Sequence, residues 1–238
     1  MGLDTRHWFA ILTLCMAVLA SACSASQTTA DGHELWALMS FPNVPTEEYP
    51  SISAMAEAAD VVVLGEVESI SVGREWGDPR EPDGANVAAS LILTIASTEV
   101  VRGSLPSERK AVTFEHTIAG YSADDLRKII APNGLRDTEG RIAALPEGPA
   151  LWFLRVKGDL GSEQVVPNDY NPIGGVSYRL VTPQGLIVDK GGQAYTPLAA
   201  ATIHLDDEGR PTEAETVEER LAFEVAEATF AEAVALAR

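Results

Sequence analysis

Cysteine is nearly absent. The chain of 238 residues contains only Cys15 and Cys23. Everything after Cys23 therefore lacks an internal disulfide, a cysteine-based zinc site and a redox pair, and must fold on its hydrophobic core alone. Histidine is almost as scarce, with His7, His33, His116 and His204. There is no Gly-x-Ser-x-Gly elbow and no Walker-type or dinucleotide-binding glycine pattern. No apolar run reaches the roughly 18–20 residues that a spanning helix needs. Basic residues are few: 17 Lys and Arg against 35 Asp and Glu give a formal charge of −18. Such a surface repels phosphate backbones and argues against nucleic-acid binding; its simplest role is to keep a folded domain dissolved. No internal repeat is visible.

What the sequence does contain is an address. Met1–His7 carries one arginine, Arg6, and Trp8–Ala20 is apolar apart from Thr13. The small-residue stretch Ala20-Ser21-Ala22 fits the A-x-A pattern of signal cleavage. Residues 1–22 are therefore expected to be a signal peptide. Leu19-Ala20-Ser21-Ala22-Cys23 resembles a bacterial lipobox, in which the cysteine becomes the diacylated mature amino terminus. It departs from the usual spacing in having Ala20 three places before the cysteine, with Leu19 one place earlier. The resemblance implies a lipid on Cys23 and anchorage at the outer surface of the cell membrane, two acyl chains being needed for stable attachment. Secretion after the same cut, without lipid, is the alternative.

Residues 23–50 read as a tether, small and polar at first (Ser24–Thr29) and then proline-rich (Phe41–Pro50), with Trp36, Leu38 and Phe41 able to pack back. A barrel domain is expected over 51–200. Ser51 caps a short helix through Ala59. A long strand follows from Val61 to Val72, with Gly65 inside it and a phase slip near Glu68-Ser69 that predicts a bulge. A loop over Gly77–Gly84 leads to strands at Ala88–Val101 and Ala111–Ile118. Ser122 and Asp125 stand at capping-box spacing ahead of a helix. Further strands are expected at Ala150–Val156, Val176–Val181, Leu186–Val188 and Ala194-Tyr195. Residues 201–238 end the chain as an acidic carboxy-terminal helix from about Glu213, after the turn Asp206–Pro211. This order predicts a mainly β fold with peripheral helices. Three strands, a helix, then more strands is the order of an OB-like five-stranded Greek-key barrel; a small β-sandwich is the alternative.

The segments Ala59–Val67, Thr98–Gly103 and Leu145–Leu154 resemble a set of uncharacterised exported lipoproteins of actinobacteria. More distantly, they are similar to the netrin-like OB domain of tissue inhibitors of metalloproteinases. The similarity spans roughly residues 55–155 and lies in strand pattern and turn glycines, so it implies fold. The inhibitors' mode of action, an amino-terminal cysteine held on the protease zinc by disulfides, does not transfer to a chain without them.

Candidate chemistry centres on His116 and Glu115. His116 falls among Val112, Phe114 and Ile118, where a packed histidine is favoured over a catalytic one. His116 with Glu115, or His204 with Asp206 and Asp207, offer metal-ligating atoms without a spacing that forces them together. No cofactor is implied. The expected function is a surface-anchored, non-enzymatic binding or interaction module, with the barrel face or the carboxy-terminal helix as contact for a protein partner. A secreted hydrolase using an unrecognised site near His116 is the alternative.

Overall fold

The β-branched and aromatic runs of the middle of the chain form a sheet that curls until it meets itself. The computed structural model describes residues 32–40, 47–76, 87–106, 111–131, 133–137, 139–157, 165–166, 175–198 and 216–238. The signal segment 1–22, Cys23, tether residues 24–31 and 41–46, the loop over 77–84, and His204 with the turn at 206–211 lie outside the described residues.

Strand β1 (Val61–Trp76) pairs with β2 (Ala88–Gly103), and β2 with β3 (Ala111–Ala119). Two more strands, β7 (Ala150–Val156) and β9 (Ser177–Leu180), complete a cycle of pairings: β3 with β9 in parallel, β9 with β7 and β7 with β1 antiparallel. The β7 pairing with β1 covers only Val61–Gly65, so the ring closes over part of its height. Gly65 is required there. A Cβ at this position would stand 2.7 Å from the Ala96 carbonyl oxygen, while the Gly65 carbonyl accepts the Trp152 indole N–H at 3.2 Å. Register shifts fall between Leu64 and Gly65 and between Val67 and Ser69, where the phase slip predicted a bulge.

Alternate residues of the ring build one core from Val61, Val63, Leu93, Ile95, Phe114, Trp152 and Leu154. Helix α1 (His33–Met39) adds Leu35, Trp36 and Met39 to that core. Trp36 packs back on the ring as expected of it: Leu35, Trp36 and Met39 share a helical face, and Trp36 packs against Trp152 with ring centroids 6.3 Å apart. Residues 47–50 are also pinned. The Glu47 carboxylate accepts from Arg155 at 2.6 and 2.7 Å, from Arg179 at 3.3 Å and from the Tyr49 hydroxyl. After β3 come α3 (Ala123–Ile129), capped by Ser122, and a small second sheet of β4 (Ile130–Ala131), β5 (Gly134–Arg136) and β6 (Ile142–Ala144). The sequence pattern does not reveal these short strands.

The opposite face of β1 and β7 carries a second core. Val62, Leu151 and Phe153 meet helix α2 (Ile52–Ala58) and the carboxy-terminal helices through Ile52, Met55, Leu221, Val225, Phe230 and Ala233. The single carboxy-terminal helix expected from the sequence is two, α4 (Val217–Glu227) and α5 (Phe230–Leu236). The break has a structural cause. Beyond β10 (Leu186–Lys190), β11 (Gln193–Tyr195) ends the main sheet, and the extended link between the helices pairs with it. Ala194 N–H donates to the Ala228 carbonyl at 3.1 Å, and Phe230 N–H to that of Gly192 at 3.0 Å. Thr229 then restarts the helix with a capping box to Glu232. The sheet's other end is the two-residue β8 (Val165–Val166), paired with the end of β1. No helix among the described residues is long and apolar enough to cross a membrane.

Candidate functional site

Glu115 and His116 are neighbours on β3, and strand geometry sends their side chains to opposite faces. They do not converge. His116 sits on the face of Phe114, whose ring it stacks at 6.1 Å, and its Nε2–H donates to the Met39 carbonyl of α1 at 2.8 Å. Burial pushes its pKa down to about 4, against the upward pull of the Met39 hydrogen bond and with help from the Lys157 charge. His116 therefore stays neutral at physiological pH and ties α1 to the ring. Among the described residues no three His, Cys, Asp or Glu side chains come together as a metal site.

Glu115 lies at the centre of a polar network that no local sequence pattern announces. Its side chain is fully buried, yet both oxygens are satisfied. Oε1 accepts from Arg74 Nε at 2.9 Å and Ser90 Oγ at 2.7 Å, with Lys157 Nζ at 3.3 Å; Oε2 accepts from Arg74 Nη2 at 2.5 Å. Burial alone would raise the Glu115 pKa, but the Arg74 hydrogen bonds, the Lys157 charge and the Ser90 hydroxyl outweigh it and hold the carboxyl below its ordinary value. Removing one member of such a pair strands the other; losses of about 3–5 kcal/mol are typical. Lys157 follows the end of β7 and also donates to Thr117 Oγ1 at 3.3 Å. Burial lowers its pKa, partly offset by Glu115 and reinforced by Arg74 and Arg179. Trp76 lies beneath both cations, with Lys157 Nζ 4.9 Å and the Arg74 guanidinium 5.8 Å from its ring centroid. Among the described residues no acceptor meets the buried Trp76 Nε1–H. The one sequence signal for this cluster is Gly73: a Cβ there would stand 2.4 Å from Ile92 Cδ1. Glycine lets β1 press onto β2 next to Arg74.

The second feature is a groove of about 720 Å³ between α1, the turn before β7 and the β10–β11 hairpin. Its apolar lining includes Trp36, Ala37, Val67, Pro146, Pro149 and Pro197. Its polar groups include His33, Glu147, Asp189 and Lys190. Tyr195 is 46 % exposed on the hairpin, with Lys190 Nζ 4.7 Å above its ring. Asp189 holds the hairpin turn by accepting the Gly192 N–H at 2.6 Å. The legible signal is the Gly191-Gly192 turn. That the hairpin faces α1 is not readable, because the proline-rich surroundings of α1 have the composition of a tether.

Fold and sites together define a mainly β protein with a partly closed ring of strands, a small second sheet and packed carboxy-terminal helices. No protein family matches the chain, and no curated protein or solved structure is similar enough to it to indicate common descent.

Proposed function

We propose that the chain is a surface-anchored bacterial lipoprotein whose domain is an OB-type barrel acting as a non-enzymatic binding module. The address rests on the signal pattern of residues 1–22 and the lipobox-like Leu19–Cys23. The OB reading is supported by the cyclic strand order β1-β2-β3-β9-β7, by the parallel β3–β9 pair and by helix α3 placed between β3 and β7. The observation that carries the binding reading is the groove beside α1. Its volume of about 720 Å³ lies within the range of roughly 300–1,000 Å³ of small-ligand sites. His116, the residue a hydrolase reading would use, donates its Nε2–H to the Met39 carbonyl.

One experiment addresses address and binding together. Cells producing the wild type and Cys23→Ala are fractionated after labelling with a palmitate analogue. The wild type is expected in the membrane fraction with label, the variant unlabelled in the medium. Unchanged fractionation of the variant overturns the anchor. The released variant, displayed on glycan and peptide arrays, is expected to retain a ligand that Ala37→Trp, which fills the groove, no longer retains. Turnover of an arrayed compound, lost in Asp189→Asn, would replace the binding reading with an enzymatic one.

A further inference from the structure

The groove beside α1 has a sign of charge. Glu147, in the turn before β7, and Asp189, on β10, both line it, and both residues are exposed. Among the described residues neither carboxylate has an ion-pair partner; Asp189 accepts the Gly192 N–H at 2.6 Å. Lys190, next in the chain, pairs with neither, since its Nζ lies over the Tyr195 ring, 4.7 Å from the centroid. The described lining thus sets two carboxylates against one ammonium, on a chain whose formal charge is −18. Apolar walls beside such groups strengthen the field that a ligand meets.

The rest of the lining narrows the choice. Pro146, Pro149 and Pro197 have no N–H to offer an anion. A divalent metal ion needs several converging oxygen or nitrogen ligands, and no three His, Cys, Asp or Glu side chains come together among the described residues. Trp36, Ala37, Val67 and Pro146 suit a hydrocarbon stem. The volume of about 720 Å³ fits a free small molecule. We infer that the groove takes a small organic cation, an ammonium or guanidinium head on an apolar stem. The stem lies on the apolar lining, and the head is drawn by the field of Glu147 and Asp189. This inference rests on the groove being the ligand site proposed above.

The test varies the head and keeps the stem. The purified chain is titrated at neutral pH with hexylamine hydrochloride, hexan-1-ol and sodium hexanoate, with sodium chloride holding ionic strength constant. Binding is followed through the amide signals of Ala37, Gly148 and Gly191 in proton–nitrogen correlation spectra. Saturable shifts are expected with hexylamine, about tenfold weaker binding with hexanol, and no saturation with hexanoate. Glu147→Gln, and Asp189→Asn, which keeps an oxygen for the Gly192 N–H, are each expected to weaken hexylamine about threefold, the weight of one exposed charge. Neither is expected to alter hexanol binding. Ala37→Trp is expected to abolish the hexylamine response. Equal binding of hexylamine and hexanol, saturation by hexanoate, or indifference of hexylamine to both charge substitutions overturns the cation and leaves the groove as a ligand site. Tighter binding of N-acetyl-lysine methylamide than of hexylamine overturns the free amine in favour of a lysine side chain. If none of the probes moves these signals, and Ala37→Trp changes nothing on the arrays, the groove itself is overturned and the inference with it.

Discussion

A histidine that gives its Nε2 proton to a carbonyl and packs on a phenylalanine ring must resist protonation for the fold to persist. For His116 the folded pKa is about 4, against an ordinary value of 6.5. Between those values the unfolded chain binds a proton that the folded chain does not, so stability is intact above about pH 6.5 and falls as pH drops towards 4. At about 1.36 kcal/mol for each pH step between the two values, the loss is on the order of 3 kcal/mol. His116→Gln, which keeps a donor for the Met39 carbonyl but does not titrate, is expected to flatten this slope in urea unfolding curves at pH 7, 6 and 5. An equally steep slope in the variant would place the acid sensitivity elsewhere. The alternation of β3 tells which face His116 occupies. It does not tell that Glu115 meets Arg74, 41 positions earlier, because nothing in local periodicity encodes which strand ends a curled sheet brings together.

The two carboxy-terminal helices belong to the second core. Phe230 and Val234 of α5 are buried there, and Ala233 and Ala237 are fully covered. Each large apolar side chain contributes roughly 1.5–3 kcal/mol on burial, against a total of about 5–15 kcal/mol for an ordinary domain. Truncation after Ala228 is therefore expected to shift the whole unfolding transition, seen as a lowered thermal midpoint together with binding of a hydrophobic dye. An appendage reserved for a partner would be lost without either change. At this scale much was legible. The strands expected at 61–72, 88–101, 111–118 and 150–156 appear as Val61–Trp76, Ala88–Gly103, Ala111–Ala119 and Ala150–Val156, because their alternation or continuous apolarity is strong. The Ser122 cap was legible too. The pieces that escaped are those whose form is set by distant pairing. The strands of the second sheet are only two or three residues long. The helix break at Ala228 occurs in a run rich in helix formers because β11 takes its backbone groups.

For the molecule as a whole, the formal charge of −18 is the dominant long-range force. Ion pairs such as Glu47–Arg155 and Arg238–Glu99 are local and partly exposed, and pairs of that kind contribute little. Self-repulsion is then what salt relieves. Added sodium chloride is expected to raise the thermal midpoint, whereas a reductant is expected to leave it unchanged, since no cysteine follows Cys23. A midpoint that falls with salt would show that the ion pairs outweigh the repulsion.

The link between α4 and α5 has a consequence for molecules held side by side at high local density. An open sheet edge recruits the same edge of the next copy and propagates into fibres. Here the β11 end of the sheet is covered by the chain's own Ala228–Phe230, and among the described residues the other end is the two-residue β8. The β11 end of each copy is thus occupied by its own chain and cannot serve as a template for a neighbour's strand.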